Sequence, residues 1–179
     1  DVADLTGDTL HDTAANLLLT SAAVIADMAA GNVTVDGNST AQQAIDLDAL
    51  FDADLDLTVS PVVDNAAAIL TVSSNAVDVL VLDTFSSITV SGTATVGQIA
   101  DINADVVGSV EVGYALNDLY ENLSEDATSQ AIVDNAGVVT VSDAITIAEL
   151  NALEGYHQTT EVGQADLGVE IVYSISDTG

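Results

Sequence analysis

The sequence contains no lysine, no arginine, no cysteine and no tryptophan. Against 29 Asp and Glu it sets only two His, and the formal net charge is −29. No ion pair to Lys or Arg can form anywhere in the fold. Nucleic acid is disfavoured as a partner, because neutralising phosphates takes basic side chains. An anionic membrane surface repels such a chain for the same reason. The clamps that grip phosphate and carboxylate substrates are missing too. What this charge attracts is cations. Screening salt or bound Ca²⁺ relieves the self-repulsion it imposes on a compact state. Without cysteine there is no disulfide and no thiol chemistry. The opening stretch DVADLTGDTLHD has neither the basic nor the apolar region of a signal peptide, and no apolar segment approaches the roughly 18 residues of a membrane span.

What is present is apolar residue in quantity: 49% of 179 residues is hydrophobic. That is enough to bury a core and too much for a disordered acidic tail.

The chain also repeats itself. An Asp opens an Ala/Leu-rich run at Asp12 (DTAANLL), Asp64 (DNAAAIL) and Asp118 (DLYENLS), and a last Asp stands at Asp177 (DTG). The steps between them are 52, 54 and 59 residues. A β-branched triplet comes next in each unit: Val33-Thr34-Val35, Ile88-Thr89-Val90 and Val139-Thr140-Val141. After each triplet comes a polar turn (DGNST, SGTAT, SDAIT), then a small amphipathic run opened by Thr40, Thr95 or Thr146. A strand-like stretch closes each unit: LDLTVS, VEVGYAL and VEIVYSIS. Tyr114 and Tyr173 each lie four residues before the next Asp.

The pattern predicts helix, strand, helix, strand. Each Asp suits an N-cap, where its carboxylate accepts from the open amides of the first turn. Leu17, Leu18, Ile25 and Met28 mark a broad apolar face on the first helix. Gln43 and Glu149 stand at capping-box spacing from Thr40 and Thr146. In the middle unit TVSSNAVDVLVL reads as helix or as strand. Residues 1–11 read as the tail of a preceding unit, 12–63, 64–117 and 118–176 as three units, and 177–179 as the start of another. The third carries an insert near 155–168.

YSISDT, DTAANL, VTVSD and the T-[VI]-A-[QE] run resemble the tandem repeats of very large bacterial surface and secreted proteins, in cyanobacteria and proteobacteria. There the phrase YSISDTAANL recurs, and here it is split between Tyr173–Thr178 and Asp12–Leu17. The resemblance spans nearly the whole chain. It implies a cell-surface, adhesive or motility-associated protein, often calcium-dependent, and brings no catalytic residues. The departures are the middle unit DNAAAIL and the insert GYHQTTEVGQADLG.

Candidate metal ligands are Asp52, Asp54 and Asp56, and again Asp101, Asn103 and Asp105. Both trios mimic the start of an EF-hand loop. Both then fail, with Leu57 or Val106 where Gly belongs and Val63 or Val112 where the bidentate Glu belongs. A solvated acidic face is the plainer reading and a Ca²⁺ site the sharper one. His11 and His157 are far apart and lack zinc-site company. There is no G-x-S-x-G elbow. Paired carboxylates of a glycosidase lack the aromatic platforms such clefts use, since only 3% of the chain is aromatic. No enzyme is expected.

The expectation is an α/β fold of tandem units, stacked into a solenoid-like rod with parallel strands and right-handed crossovers. A string of separate small domains is the alternative, but units this short bury little core alone. The expected role is an extracellular, self-associating, cation-stabilised structural module of a surface protein, filament or layer. An adhesion module for glycans or another surface is the second reading, and a paired-carboxylate hydrolase a distant third.

Overall fold

Each triplet of β-branched residues alternates its side chains across the strand, so two of three point to one face. Val33 and Val35, Ile88 and Val90, and Val139 and Val141 are all buried. Thr89, between its two apolar neighbours, is exposed. One face of each strand is therefore committed to a core.

The computed structural model describes residues 9–20, 32–51, 56–58, 61–74, 87–106, 110–156 and 170–176. In chain order these form β1 (Thr9–Asp12), α1 (Ala14–Leu17), β2 (Asn32–Val35), α2 (Ala41–Leu50), β3 (Asp56–Thr58), β4 (Val62–Asp64), α3 (Ala66–Ser73) and β5 (Ser87–Ala94). Next come α4 (Val96–Asp105), β6 (Glu111–Asp118), α5 (Tyr120–Ser124), α6 (Ala127–Asp134), β7 (Val138–Ile145), α7 (Ile147–Tyr156) and β8 (Glu170–Ile175). The fold is α/β, and every strand pairing is parallel. One sheet has the order β1-β2-β3 and the other β4-β5-β6-β7-β8. Within each sheet every strand thus lies beside the strand that precedes it in the chain. Parallel neighbours need a crossover, and the helices supply it.

The two sheets meet at Ser39 and Val62, a parallel bridge. Ser39 N donates to Pro61 O at 3.3 Å and Val63 N donates to Ser39 O at 2.8 Å. Of the stretch LDLTVS, expected as one closing strand, Asp56–Thr58 form β3, and a second short strand, β4, begins after Pro61. β3 pairs with β2, and β4, after Pro61, pairs with β5. Proline has no N–H to give a ladder, which accounts for a break that the unbroken β6 does not show.

The helices lay apolar residues on the buried sheet face. Ile99 and Ile102 of α4, Leu123 of α5, Val133 of α6 and Leu153 of α7 are fully buried. They join Ile69, Ile88, Leu116 and Val139 in the larger core. Ala14, Leu17, Val33, Val35, Leu47 and Phe51 form a smaller one around β2. A buried Leu or Ile contributes about 1.5–3 kcal/mol by leaving water. Neighbours in the helix layer keep chain order, α1 against α2, α2 against α3, α3 against α4, α4 against α6 and α6 against α7.

The helix starts are fixed by side chains. Thr40 with Gln43 and Thr95 with Gln98 close capping boxes. Thr146 N donates to Glu149 Oε2 at 2.7 Å, and Glu149 N returns a bond to Thr146 Oγ1 at 3.3 Å. The polar turns ahead of two of these boxes need φ of +77° at Gly37 and +76° at Gly92, which glycine reaches without cost. Asp143 occupies the matching place in the third unit with no positive φ. One departure from the expected element order is that two helices, α5 and α6, separate β6 from β7. Asp126 makes the second start, its Oδ1 accepting from Ser129 N at 2.8 Å. Of the apolar face expected on the first helix, Leu17 is buried in α1, while Ile25 and Met28 lie outside the described residues, as does most of TVSSNAVDVLVL.

Candidate functional site

The recurring aspartates are the most constructed polar feature of the chain. Sequence spacing predicts each as the N-cap of its own helix. The N-caps fall one residue later, at Thr13, Asn65 and Leu119. The aspartates are the last residues of β1, β4 and β6, and the side chains of Asp64 and Asp118 reach in two directions.

Asp118 shows the full arrangement. Its Oδ1 accepts from Leu119 N at 2.9 Å and from Asn122 Nδ2 at 2.7 Å, both at the start of the next helix. Its Oδ2 accepts from Val96 N at 3.0 Å. Val96 is the first residue of α4, a whole strand and helix earlier. Asp64 does the same, with Oδ1 on Asn65 N at 2.8 Å and Oδ2 on Ala41 N, the first amide of α2, at 3.2 Å. Asp12 holds Thr13 N at 2.8 Å and Asn16 Nδ2 at 2.7 Å. In the third unit Asp143 adds a variant, its Oδ1 accepting from Tyr120 N, the first amide of α5, at 2.9 Å.

The physical logic is that a helix leaves its first amides unpaired and its N-terminus partly positive. One carboxylate placed between two consecutive helix starts satisfies both. In a chain without lysine or arginine, these backbone dipoles are the positive partners at hand for buried carboxylates. Asp118 is buried and Asp64 partly so. The Asn16 amide, with the Thr13 amide behind it, holds the Asp12 carboxyl below the usual carboxylate range. The Ser129 amide does the same for Asp126.

Between the start of α4 and the α5–α6 corner lies an open cleft of about 480 Å³, lined by Thr95, Asp118, Asn122, Glu125, Asp126 and Ser129. Asp118 and Asp126 are already engaged there as acceptors for backbone amides.

No protein-family model, no curated protein and no solved structure matches the chain.

Of the two candidate calcium trios only the second lies wholly within the described residues, and its members do not come together. Asp101, Asn103 and Asp105 lie on α4. An α-helix turns about 100° per residue, so Asp101 and Asn103 stand roughly 200° apart around the axis and cannot converge on one ion. Asp105 Oδ2 instead accepts from Ser73 Oγ at 2.9 Å, tying α4 to α3. An EF-hand needs a loop at this place, and the helix removes it. Asp52 and Asp54 lie outside the described residues, and Asp56 opens β3. Among the described residues no group of three or more acidic or His side chains is placed to hold a metal. His11 is exposed and faces Asp36, Nδ1 to Oδ1 3.6 Å. His157 and Asp177 lie outside the described residues.

Tyr114 is the second built feature. Its hydroxyl donates to Ile132 O at 2.9 Å, among the last carbonyls of α6, which the helix cannot pair itself. Burial, with the nearby Asp134 charge adding to it, pushes the phenol up to about 12. Tyr173, four residues before the last Asp as Tyr114 is before Asp118, is 41% exposed.

Some of these partners carry a local signal that the expected caps do not include. Asn stands four residues after Asp in DTAAN and DLYEN, the spacing of the Asn16 and Asn122 contacts. Gln98 stands three after Thr95, a third capping box. The long-range half of the bonding of Asp64 and Asp118 leaves no local signal, because the partners are 23 and 22 residues away.

Proposed function

We propose that this chain is a structural module: a solenoid-like stack of tandem units from an extracellular bacterial surface protein, filament or layer. It associates with itself and is stabilised by cations. The observation that carries this reading is a single strand register that occurs three times. Leu10 faces Val33 and Asp12 faces Val35. Val62 faces Ile88 and Asp64 faces Val90. Leu116 faces Val139 and Asp118 faces Val141. The closing strand of one unit meets the Val-Thr-Val strand of the next in the same way each time, with the aspartate at the same place. A stack grown by one rule from like units is the architecture of an extended scaffold rather than of a cleft. Carboxylates engaged as helix-start acceptors fit that role better than they fit acid–base chemistry.

The charge fits the setting. A net −29 with no lysine or arginine tolerates crowding on a surface only when cations screen it. Among the described residues no helix is long and apolar enough to cross a membrane.

The test is electron microscopy of the purified protein in millimolar Ca²⁺ and again in excess chelator. Rods or filaments that shorten in chelator are expected. Dispersed single particles at every concentration, unchanged by divalent ions, would overturn the reading.

A further inference from the structure

β5, β6 and β7 each have a strand of this chain along both edges, yet only one face of each is covered. The helices take the face of Ile88, Leu116 and Val139, and among the described residues α3 to α7 form a single layer over it. The opposite face carries the alternate residues of the same strands. Thr89, Gly113, Asn117 and Ala144 are exposed there, and Ala115 and Thr140 are half-buried. Parallel sheets are ordinarily covered on both faces.

This open face differs in charge from the helix layer. The helix layer exposes Asp101, Glu121, Glu125, Asp126 and Glu154. On the open face of the five-stranded sheet the acidic residues are Glu111 and Glu170, the first residues of β6 and β8. The chain has no lysine or arginine to answer a carboxylate across a contact. A second copy can therefore approach closely only where carboxylates are absent. The middle of this face is such a place, and interface cores are depleted in charge.

Gly113 adds an independent observation. It lies inside β6 without a positive φ, and a Cβ there would come no nearer than 4.0 Å to Ile88 O and Thr89 Oγ1. The register of β6 on β5 shifts beside it, between Thr89 and Thr93. The same shift recurs between Thr140 and Ala144, and there Val172 of β8 stands in the place of Gly113. The shift thus does not call for glycine, which weakens a strand. Glycine within a strand suits a place where another backbone comes close.

Resting on the reading of a self-associating module, we infer that two copies pack through this face, sheet against sheet, with Gly113 near the centre. At about 4.8 Å between strands and about 3.3 Å per residue, the five-stranded sheet presents roughly 500 Å². Two such faces bury about 1,000 Å², the lower end for a specific contact, so the pairing is reversible. The same patch serves both copies, so the contact is isologous and closes as a pair. It joins two stacks side by side. It needs salt to screen the −29 of each copy, but no divalent ion.

Sedimentation equilibrium in chelator at about 0.15 M salt tests the pairing. A monomer–dimer equilibrium is expected. Gly113→Val should fold at least as well as the unaltered chain, checked by circular dichroism on heating, and should weaken pairing about tenfold or more by holding the backbones apart. Thr89→Asp sets a carboxylate in the middle of each face and should weaken it about as much. Asn103→Asp adds the same charge on the exposed side of α4 and should leave pairing unchanged. Pairing that survives both Gly113→Val and Thr89→Asp overturns the inference, as does equal weakening by Asn103→Asp. Dimers without calcium-dependent rods keep this face and remove the cation-held polymer. Rods that neither face variant alters mean that the face is wrong and self-association stands through another surface. Monomers alone, in chelator and in Ca²⁺, sink both.

Discussion

β6 and β8 are one strand written twice, with opposite surroundings. Both carry an apolar residue, a Tyr and an apolar residue at alternate positions along one face. Both lie on their predecessor in the same register. Beyond β6 come α5, α6 and β7, and there Tyr114 and Leu116 are buried. Beyond β8 the described residues offer nothing, and Tyr173 and Ile175 stand exposed. The residues of the strand itself set its pairing and the face it offers. Burial is supplied by the next elements of the chain.

The contrast between the two strands is widest at their apolar pair. Leu116→Ala should cost about 2–5 kcal/mol, because it opens a cavity in the larger core. Ile175→Ala should cost under about 1 kcal/mol in the monomer, as a substitution at an exposed edge. Urea unfolding of both variants at low protein concentration measures the difference. Equal losses would mean that β8 is covered in solution, and the contrast between the strands would disappear.

The aspartates sharpen it next. Asp118→Ala removes three hydrogen bonds from a buried site and strands the first amide of α4. A loss of about 1.5–3 kcal/mol is expected, the range for hydrogen bonds to a charged group. Asp12→Ala removes only contacts within its own helix start, and its effect should be clearly smaller. If the two match, the bond to the preceding helix contributes nothing.

The tyrosines separate by about 1 kcal/mol. Tyr114→Phe loses a buried hydrogen bond to a helix-end carbonyl, whereas Tyr173→Phe should be silent. The sign of the pH dependence comes from the same burial. The Tyr114 phenol ionises at about 12 when folded, and near 10 when unfolded. Above the lower value the unfolded chain has released a proton that the folded chain retains. Its stabilising effect is therefore complete below pH 10 and is lost as pH rises toward 12. Denaturation curves across that window should show a fall in stability that Tyr114→Phe reduces.

Much of this fold is legible in the residues, for reasons that differ by element. The Val-Thr-Val strands declare themselves because alternation and β-branching are local properties. The Thr-led helices do so because a capping box spans four residues. The recurring aspartates are visible as helix-start signals, but half of their bonding is not. Asp118 to Val96 and Asp64 to Ala41 connect residues that only the parallel stacking of strands brings together. The Asp101-x-Asn103-x-Asp105 motif misleads in the opposite way. Its spacing matches a calcium loop, but Thr95 and Gln98 start a helix that runs straight through it. The break at Pro61 is written in the chain, since a residue without an N–H divides one closing strand into β3 and β4.

The smallest expected effect lies at low pH. Asp12 and Asp126 both have folded carboxyls held below the ordinary value by hydrogen bonds, chiefly from Asn16 and from the Ser129 amide. The sign is the reverse of the tyrosine's. The unfolded chain takes up the proton first as pH falls, so the contribution is whole above the unfolded carboxylate value and fades below it. Both groups are solvent-facing, so salt should weaken the effect further. Asp126→Asn keeps an acceptor at the start of α6 and should retain most of the stability at neutral pH while flattening the acid limb. Asp126→Ala should lose stability at both. If Asn behaves like Ala at neutral pH, it is the charge acting on the helix dipole that matters at this corner. The aspartates shared between consecutive helix starts would then act chiefly through charge as well.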